Sequence, residues 1–352
     1  MNLVETPDNP APPGGIAVPV ETSDGVTLRA AFWPATGVPA RGTILLMHGR
    51  AEFIEKYFEV IGELLERGFA VATFDWRGQG SSGRTLADGR KGHVTGFSDF
   101  RHDIDAVSRE ITDRRMPQPV FGLAHSMGAC VALIGAAEGW LPVERLVAST
   151  PMVALSLVKY ARLARGLARL LGKLGLGSHY VPGGRGASIS TEPFEGNRLS
   201  GDPRRYARNA TIARTLGQGA IGSPTIAWLI AAYDAMAVLQ ARGYPARIKI
   251  PTLVIGAGSD PVCSTPDSEL FARGLGSGST YFVIPGSRHE VMMETDDIRH
   301  AFWKAFDAFI PGSQDTPEKL VSAAKQLEDA RVQPFVPAGD DRASLGGRAA
   351  IP

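Results

Sequence analysis

Short apolar runs recur along the first 150 residues and return after residue 250. Val26–Trp33 (VTLRAAFW) follows the turn residues Asp24 and Gly25. Thr43–His48, Phe69–Phe74, Val120–Ala124 and Leu146–Thr150 come next, then Thr252–Ala257 and Tyr281–Ile284. Runs of this length, bounded by Gly, Pro and Asp, fit strands that are buried on both faces. Helix-length segments such as Lys56–Arg67 and Phe97–Arg109 separate the early ones. Strand and helix in alternation predict a mostly parallel sheet covered by helices, and ligands of such sheets sit beyond the carboxyl ends of the strands. Near the end, Ile298, Phe302, Ala305, Phe306 and Phe309 share one helical face, which predicts a packing helix over Ile298–Phe309.

The alternation stops between Pro151 and Pro245, where helix-like segments and Gly-rich breaks replace strands. The reading that follows is an α/β core from 16–150 and 246–312, with a helical cap of 151–245 inserted between two of its strands. Residues 1–15 read as a flexible lead-in. Residues 313–352 read as a polar, partly disordered extension, with a helix over Thr316–Leu327 started by Thr316 and Pro317. Within the cap, Lys159, Arg162, Arg165, Arg169 and Lys173 fall on one side of a helical wheel. Tyr160, Leu163, Leu167, Leu170, Leu171 and Leu174 fall on the other. Thr225–Leu239 carries an apolar stripe of Trp228, Leu229, Tyr233, Met236 and Leu239.

Composition narrows the function classes. Lys and Arg number 37 against 36 Asp and Glu, so no global field draws the protein onto nucleic acid. The two cysteines, Cys130 and Cys263, make neither a disulfide scaffold nor a zinc motif, although one bridge between them stays open. The N-terminus has acids and prolines but no basic region, and no run is long enough to span a bilayer. A cytoplasmic protein is expected, with peripheral contact at an anionic inner membrane face open through the basic cap helix.

The sharpest chemical signal is Ala124-His125-Ser126-Met127-Gly128, between the strand PVFGL and the small-residue helix ACVALIGAA. A serine at a tight strand-to-helix turn, flanked by small residues, is a nucleophile elbow. The N–H of Met127 faces the same space. Asp260 directly follows the strand TLVIGA, and His289 follows YFVI. Three residues at the carboxyl ends of three strands can converge, with His289 as the base and Asp260 orienting it. Asp267 and Glu290 are local rivals of Asp260. The loop His48-Gly49-Arg50-Ala51 can supply a second oxyanion donor, the N–H of Arg50.

At this point the sequence resembles the α/β-hydrolase superfamily, and within it the bacterial lysophospholipase L2 and monoacylglycerol lipase group. The resemblance rests on HGRAEFIEKY (His48–Tyr57), FDWRGQGSSG (Phe74–Gly83), AHSMG, GAGSDPV (Gly256–Val262) and GSRHEVMME (Gly286–Glu294), over roughly residues 20–312. It implies Ser126 as nucleophile, Asp260 as acid, His289 as base, and oxyanion donors at Arg50 and Met127. It also implies a supporting role for Glu52, and a bracing role for Asp75 and Arg77. Ala124 stands where the group usually has glycine and Phe53 where it often has histidine. Neither change removes a reacting atom.

The expected activity is hydrolysis of a lysophospholipid or monoacylglycerol through an acyl-enzyme. Trp228, Tyr233 and Met236 are the candidates for an acyl-binding wall, joined by the leucines from Leu163 onward, and no metal or organic cofactor is implied. A small-ester hydrolase, thioesterase or aminopeptidase of the same fold is the alternative. An aminopeptidase needs carboxylates to hold the substrate amine, for which the cap offers Glu192, Glu195 and Asp202. A non-catalytic binding protein on this fold is a further alternative. Serine at the nucleophile position disfavours dehalogenase or epoxide hydrolase chemistry, which uses aspartate there.

Overall fold

A computed structural model describes residues 1–37, 39–157 and 160–311. The C-terminal extension, its expected helix over Thr316–Leu327, Lys159 and the Arg162 side chain lie outside the described residues. The centre is an eight-stranded sheet of β1 (Ile16–Glu21), β2 (Thr27–Trp33), β3 (Thr43–Met47), β4 (Ala70–Phe74), β5 (Val120–His125), β6 (Leu146–Ser149), β7 (Thr252–Ala257) and β8 (Thr280–Ile284). The spatial order is β1-β2-β4-β3-β5-β6-β7-β8. The β1–β2 and β2–β4 pairs are antiparallel and every other pair is parallel. This is the α/β-hydrolase fold. Strands β3 to β7 are buried along their whole length, which explains their unbroken apolar runs.

The sequence pattern missed β1, which lies at the sheet edge, is mostly exposed and carries Pro19. An edge strand tolerates proline and needs little apolar alternation, so its signal is weak. The lead-in of residues 1–15 is also tied to the core rather than loose. Arg29 donates to the Asn2 carbonyl, Asn9 to the Glu55 carbonyl, and the Trp33 indole to the Pro12 carbonyl. Both cysteines are free and buried, so no bridge joins them.

Helices α1 (Phe58–Glu66) and α8 (Asp296–Phe309) cover one face of the sheet. Helices α2 (Phe100–Asp113) and α3 (Ser126–Glu138) cover the other. The start of α3 presses onto the end of β3, and a methyl group on Gly128 would stand 2.5 Å from the carbonyl oxygens of Met47 and His48. Only glycine permits that approach, which brings the first turn of α3 beside the loop after β3.

Between β6 and β7 lie the cap helices α4 (Ala161–Leu171), α5 (Pro203–Leu216) and α6 (Ile226–Leu239). Asp202 caps α5 by accepting from the amides of Arg204 and Arg205, and Thr225 caps α6. Helix α6 is apolar nearly all round because it is sandwiched between α3 and α4. Helix α4 meets α6 through Ala164 and Ala168, while Arg165 and Arg169 each reach Asp234 of α6 at 2.8 Å. The leucines of α4 and of the turn after it therefore point outward: Leu163 is 71 % exposed and Leu174 66 %, with Leu167 and Leu170 also exposed. This overturns the expectation that these leucines form an inner wall. The small alanines allow close helix packing, and the arginine stems reach a carboxylate only on that side.

The cap is clamped to the core by charge. Arg205 of α5 bonds Glu59 of α1 at 2.6 Å, Asp296 of α8 at 2.6 Å and its own capping Asp202 at 2.8 Å. Arg208 adds a 2.7 Å bond to Glu59. Burial opposes ionisation of Glu59, but the Arg205 bond and the charges of Arg299 and Arg208 outweigh it, and its pKa falls from 4.5 to about 2. A carboxyl whose pKa is depressed by folding stabilises the fold above its unfolded value and loses that contribution as pH falls through its folded value. The clamp should thus be intact above pH 4.5 and fade toward pH 2. Glu59→Gln is expected to flatten that acid limb in urea titrations run as a function of pH. At neutral pH, Arg205→Ala should cost about 2 kcal/mol in the same assay, because it strands Asp202 and Glu59, which are largely shielded from water.

Candidate active site

Strand β5 ends at His125, and the chain turns into α3 at Ser126, whose φ is 50°. A non-glycine residue in the left-handed region at this junction is the strained elbow that lifts a side chain above the sheet. Ala124 lies in register with Met47 and Ala148 and is fully buried, so its methyl group is accommodated where a smaller residue was expected.

His289 joins the three distant positions. Its Nε2 stands 2.9 Å from Ser126 Oγ and its Nδ1 2.8 Å from Asp260 Oδ2. Asp260 Oδ1 accepts from the amides of Val262 at 2.8 Å and Cys263 at 2.9 Å. Burial opposes ionisation of Asp260, but the His289 contact and those two amides hold its pKa below the usual carboxylate value. Neither rival carboxylate bonds His289. Asp267 is engaged by Ser264 at the start of α7 (Thr265–Arg273), and Glu290 pairs with Lys56 at 2.6 Å. Ser126 and His289 are both buried. Such a chain can move a proton from the serine to the imidazole while the carboxylate fixes the ring and balances its charge.

The loop after β3 is braced from several sides. Glu52 Oε2 accepts from the Gly49 amide at 2.5 Å and from the Tyr57 hydroxyl at 2.8 Å, and its Oε1 accepts from Lys56 at 2.8 Å. Burial raises the pKa of Glu52, yet the Lys56 charge outweighs it and keeps the carboxyl well below its usual range. Ala51 adopts a left-handed φ of 60°, held by a 2.6 Å bond from its amide to Gln79 Oε1. The other end of the Gln79 amide meets Met127 Sδ at 3.8 Å. Arg50 thus lies between two fixed points, Gly49 and Ala51. Met127 lies in the first turn of α3, where backbone N–H groups have no intrahelical acceptor and the helix end is positive.

Asp75 and Arg77 brace the next loop. Asp75 accepts from the amides of Ile54 and Ser81 and bonds Arg29, while Arg77 pairs with Asp24 and Asp103. Phe53 is buried against Ile212, Ala213 and Ala220 of the cap, an apolar contact that histidine would not make as well. His125 lies beside His289, but burial drives its pKa down to about 3, so it is neutral. Thr150 ties the two histidines together: its hydroxyl donates to the His289 carbonyl and meets His125 Nδ1, both at 3.0 Å.

Trp228, Tyr233 and Met236 are all buried on α6. The Trp228 ring lies 5.1 Å from the Arg50 guanidinium carbon and 5.9 Å from the Phe97 ring centre, and the Tyr233 hydroxyl is buried without a partner. Among the described residues, Asp260, Cys263 and His289 offer metal-ligand atoms within 4.8 Å of one another. Both His289 nitrogens are already engaged there, so a metal would compete with the hydrogen-bond chain. Lys56, Gln79, Thr150 and Glu290 were not assigned support roles from the sequence. Only Lys56 left a usable signal, its place four residues after Glu52 on a helical turn.

Gln79 touches the loop after β3 and the first turn of α3 but bonds neither Ser126 nor His289. Gln79→Ala is therefore expected to lower kcat on a soluble chromogenic ester about tenfold with little change in KM, since it loosens donor placement rather than binding. Steady-state kinetics check this.

Comparison with known proteins agrees with the geometry. A family model described as "Serine aminopeptidase, S33" matches residues 38–296. The chain is 28 % identical over 270 residues to the probable lysophospholipase L2 of Haemophilus influenzae, covering 77 % of this chain and 84 % of that protein. It is 28 % identical over 268 residues to lysophospholipase L2 of Escherichia coli K12, covering 73 % and 76 %. A soluble variant of the monoglyceride lipase of Saccharomyces cerevisiae, solved with a substrate analog, has the same fold, with a TM-score of 0.67 at 21 % identity over 84 % of this chain and 95 % of that one. The family match spans far more than half of the sequence and includes the elbow, the braced loop and the Asp260 and His289 turns; the chain belongs to this S33 family of the α/β-hydrolase superfamily and is a serine hydrolase.

Proposed function

We propose that the protein hydrolyses the carboxylic ester of a lysophospholipid or monoacylglycerol through an acyl-enzyme on Ser126. The observation that carries this reading is the continuous hydrogen-bond chain from Asp260 through His289 to Ser126 Oγ. Ser126 Oγ attacks the ester carbonyl carbon as its proton passes to His289 Nε2. The carbonyl oxygen gains negative charge, which the amides of Arg50 and Met127 stabilise. Collapse breaks the bond to the glycerol oxygen, and His289 returns the proton to that leaving group. A water molecule deprotonated by His289 then releases the fatty acid and restores Ser126.

The lipid class is supported by the lysophospholipase L2 relatives and by the apolar helix α6, whose Trp228 meets the Arg50 side chain. In this reading Trp228, Tyr233 and Met236 contact the acyl chain. The aminopeptidase alternative is disfavoured by the cap carboxylates: Asp202 is spent on capping α5 and on Arg205, Glu192 pairs with Arg185, and Glu195 is exposed. No helix among the described residues is long and apolar enough to cross a membrane. The outward leucines of α4, with exposed Lys173 beside them, suit shallow contact with a lipid surface.

A fluorophosphonate probe should label the wild type at Ser126 and leave Ser126→Ala unlabelled; failure of the folded wild type to label would reduce the protein to a binding role. Below their aggregation concentrations, glycerol esters of increasing chain length should gain in kcat/KM roughly fourfold per methylene at first. Replacing Trp228 and Tyr233 by alanine should flatten that series. Equal rates for two-carbon and long-chain esters would point to a small-ester hydrolase instead. Serine at Leu163, Leu167, Leu170 and Leu174 together should weaken sedimentation with anionic phospholipid vesicles while sparing hydrolysis of a soluble ester.

A further inference from the structure

Ester cleavage uses the backbone of Arg50, but it gives no task to the side chain. That side chain leaves the braced loop and crosses to the cap. Its Nη2 donates to the Gly222 carbonyl at 2.5 Å, and its guanidinium carbon stands 5.1 Å from the Trp228 ring centre. Its Nε is buried with no partner. A guanidinium has five N–H donors in a planar fork. Here one protein carbonyl answers them, and no carboxylate among the described residues pairs with the charge.

Other arginines shielded from water are compensated. Arg29, Arg77, Arg205 and Arg299 each bond carboxylates. Arg84 bonds the carbonyls of Gln79, Gly80, Ser82 and Gly89 instead. Half-buried Arg50 has neither arrangement, although shielding a charge from water without a partner is unfavourable. Burial lowers its pKa from 12.5 to about 10, so it remains a cation at neutral pH. The Trp228 face and the Gly222 carbonyl support the guanidinium and hold the fork in one orientation.

We infer that the Arg50 side chain is a subsite for an anionic group on the leaving alcohol, a phosphate carried by the glycerol unit. The inference rests on the ester-hydrolase reading and narrows its substrate class: phosphate-bearing acylglycerols are selected over neutral monoacylglycerols. A glycerol phosphate holds its charge at the far end of a three-carbon unit from the scissile oxygen. An arginine side chain spans a comparable reach from a backbone amide that faces the ester carbonyl. The fork geometry of the guanidinium matches phosphate oxygens in a way an ammonium does not.

The test compares 1-butyrylglycerol 3-phosphate with 1-butyrylglycerol, a soluble pair that differs only in the phosphate. The readout is the ratio of their kcat/KM values, because changes at Arg50 can also disturb the oxyanion loop and slow both reactions. The wild type should favour the phosphate ester, and Arg50→Gln should lower the ratio about thirtyfold. Arg50→Lys should retain part of the preference. A ratio that stays within about twofold in Arg50→Gln, whatever the individual rates, would overturn the subsite and leave Arg50 as a strut that holds the cap. Should that variant not fold, the wild type decides alone: glycerol 3-phosphate should inhibit hydrolysis of a neutral chromogenic ester far better than glycerol, and equal inhibition would overturn the proposal. The two readings fail separately. A phosphate preference without any chain-length response would remove the lipid reading and keep the subsite, and the reverse pattern would do the opposite.

Discussion

The Lys56 ammonium lies between Glu52 at 2.8 Å and Glu290 at 2.6 Å, with all three side chains out of water. Glu52 holds the loop that carries Arg50, and Glu290 is the neighbour of His289. One cation therefore ties the loop after β3 to the turn that carries His289. A single ammonium compensates one buried carboxylate well and a second one poorly. Burial accordingly raises the pKa of Glu290 against the pull of Lys56, while Glu52 stays ionised. Isolated charges at this depth would be strongly unfavourable, and their mutual hydrogen bonding makes the arrangement tolerable only in one geometry. The same rigidity is what a preorganised oxyanion site requires.

Two further constraints place the nucleophile inside that frame. Gly128 lets α3 settle against the end of β3, so the elbow and the braced loop share one space. Gln79 and Thr150 then act as cross-braces, the first between Ala51 and Met127, the second between His125 and the His289 backbone. None of these groups needs to react. Their work is to hold strained backbone at Ala51, Ser126 and Thr150, where φ is positive without glycine.

The cap joins this rigid core through two kinds of contact. On one side, the Arg205 cluster binds α5 to α1 and α8 by charge. On the other, α6 lies on α3 through apolar packing and holds α4 outside it. Arg50 connects the two layers directly, from the loop after β3 to Gly222 and Trp228.

Much of this was legible in the chain. Strands β3 to β7 announced themselves because burial on both faces demands unbroken apolar runs. Ser126, Asp260 and His289 stood out because each follows a strand, and a parallel sheet gathers such positions at one end. Edge strand β1 and the arginine-rich α5 were not recognised, since an exposed edge and a charged helix carry little apolar periodicity. The wheel of α4 separated leucines from arginines correctly but had no information about which side faces inward. That was decided by Asp234 of α6 and the alanines of α4 that pack toward it, Gln79 and Ala51 met only because two loops fold together, and Arg50 has no carboxylate partner among the described residues. Local sequence determined strands, turns and the order of the reacting groups, because these depend on nearby residues. Facing, bracing and the unpaired charge depend on contacts between segments far apart in the chain, and only the tertiary structure decides them.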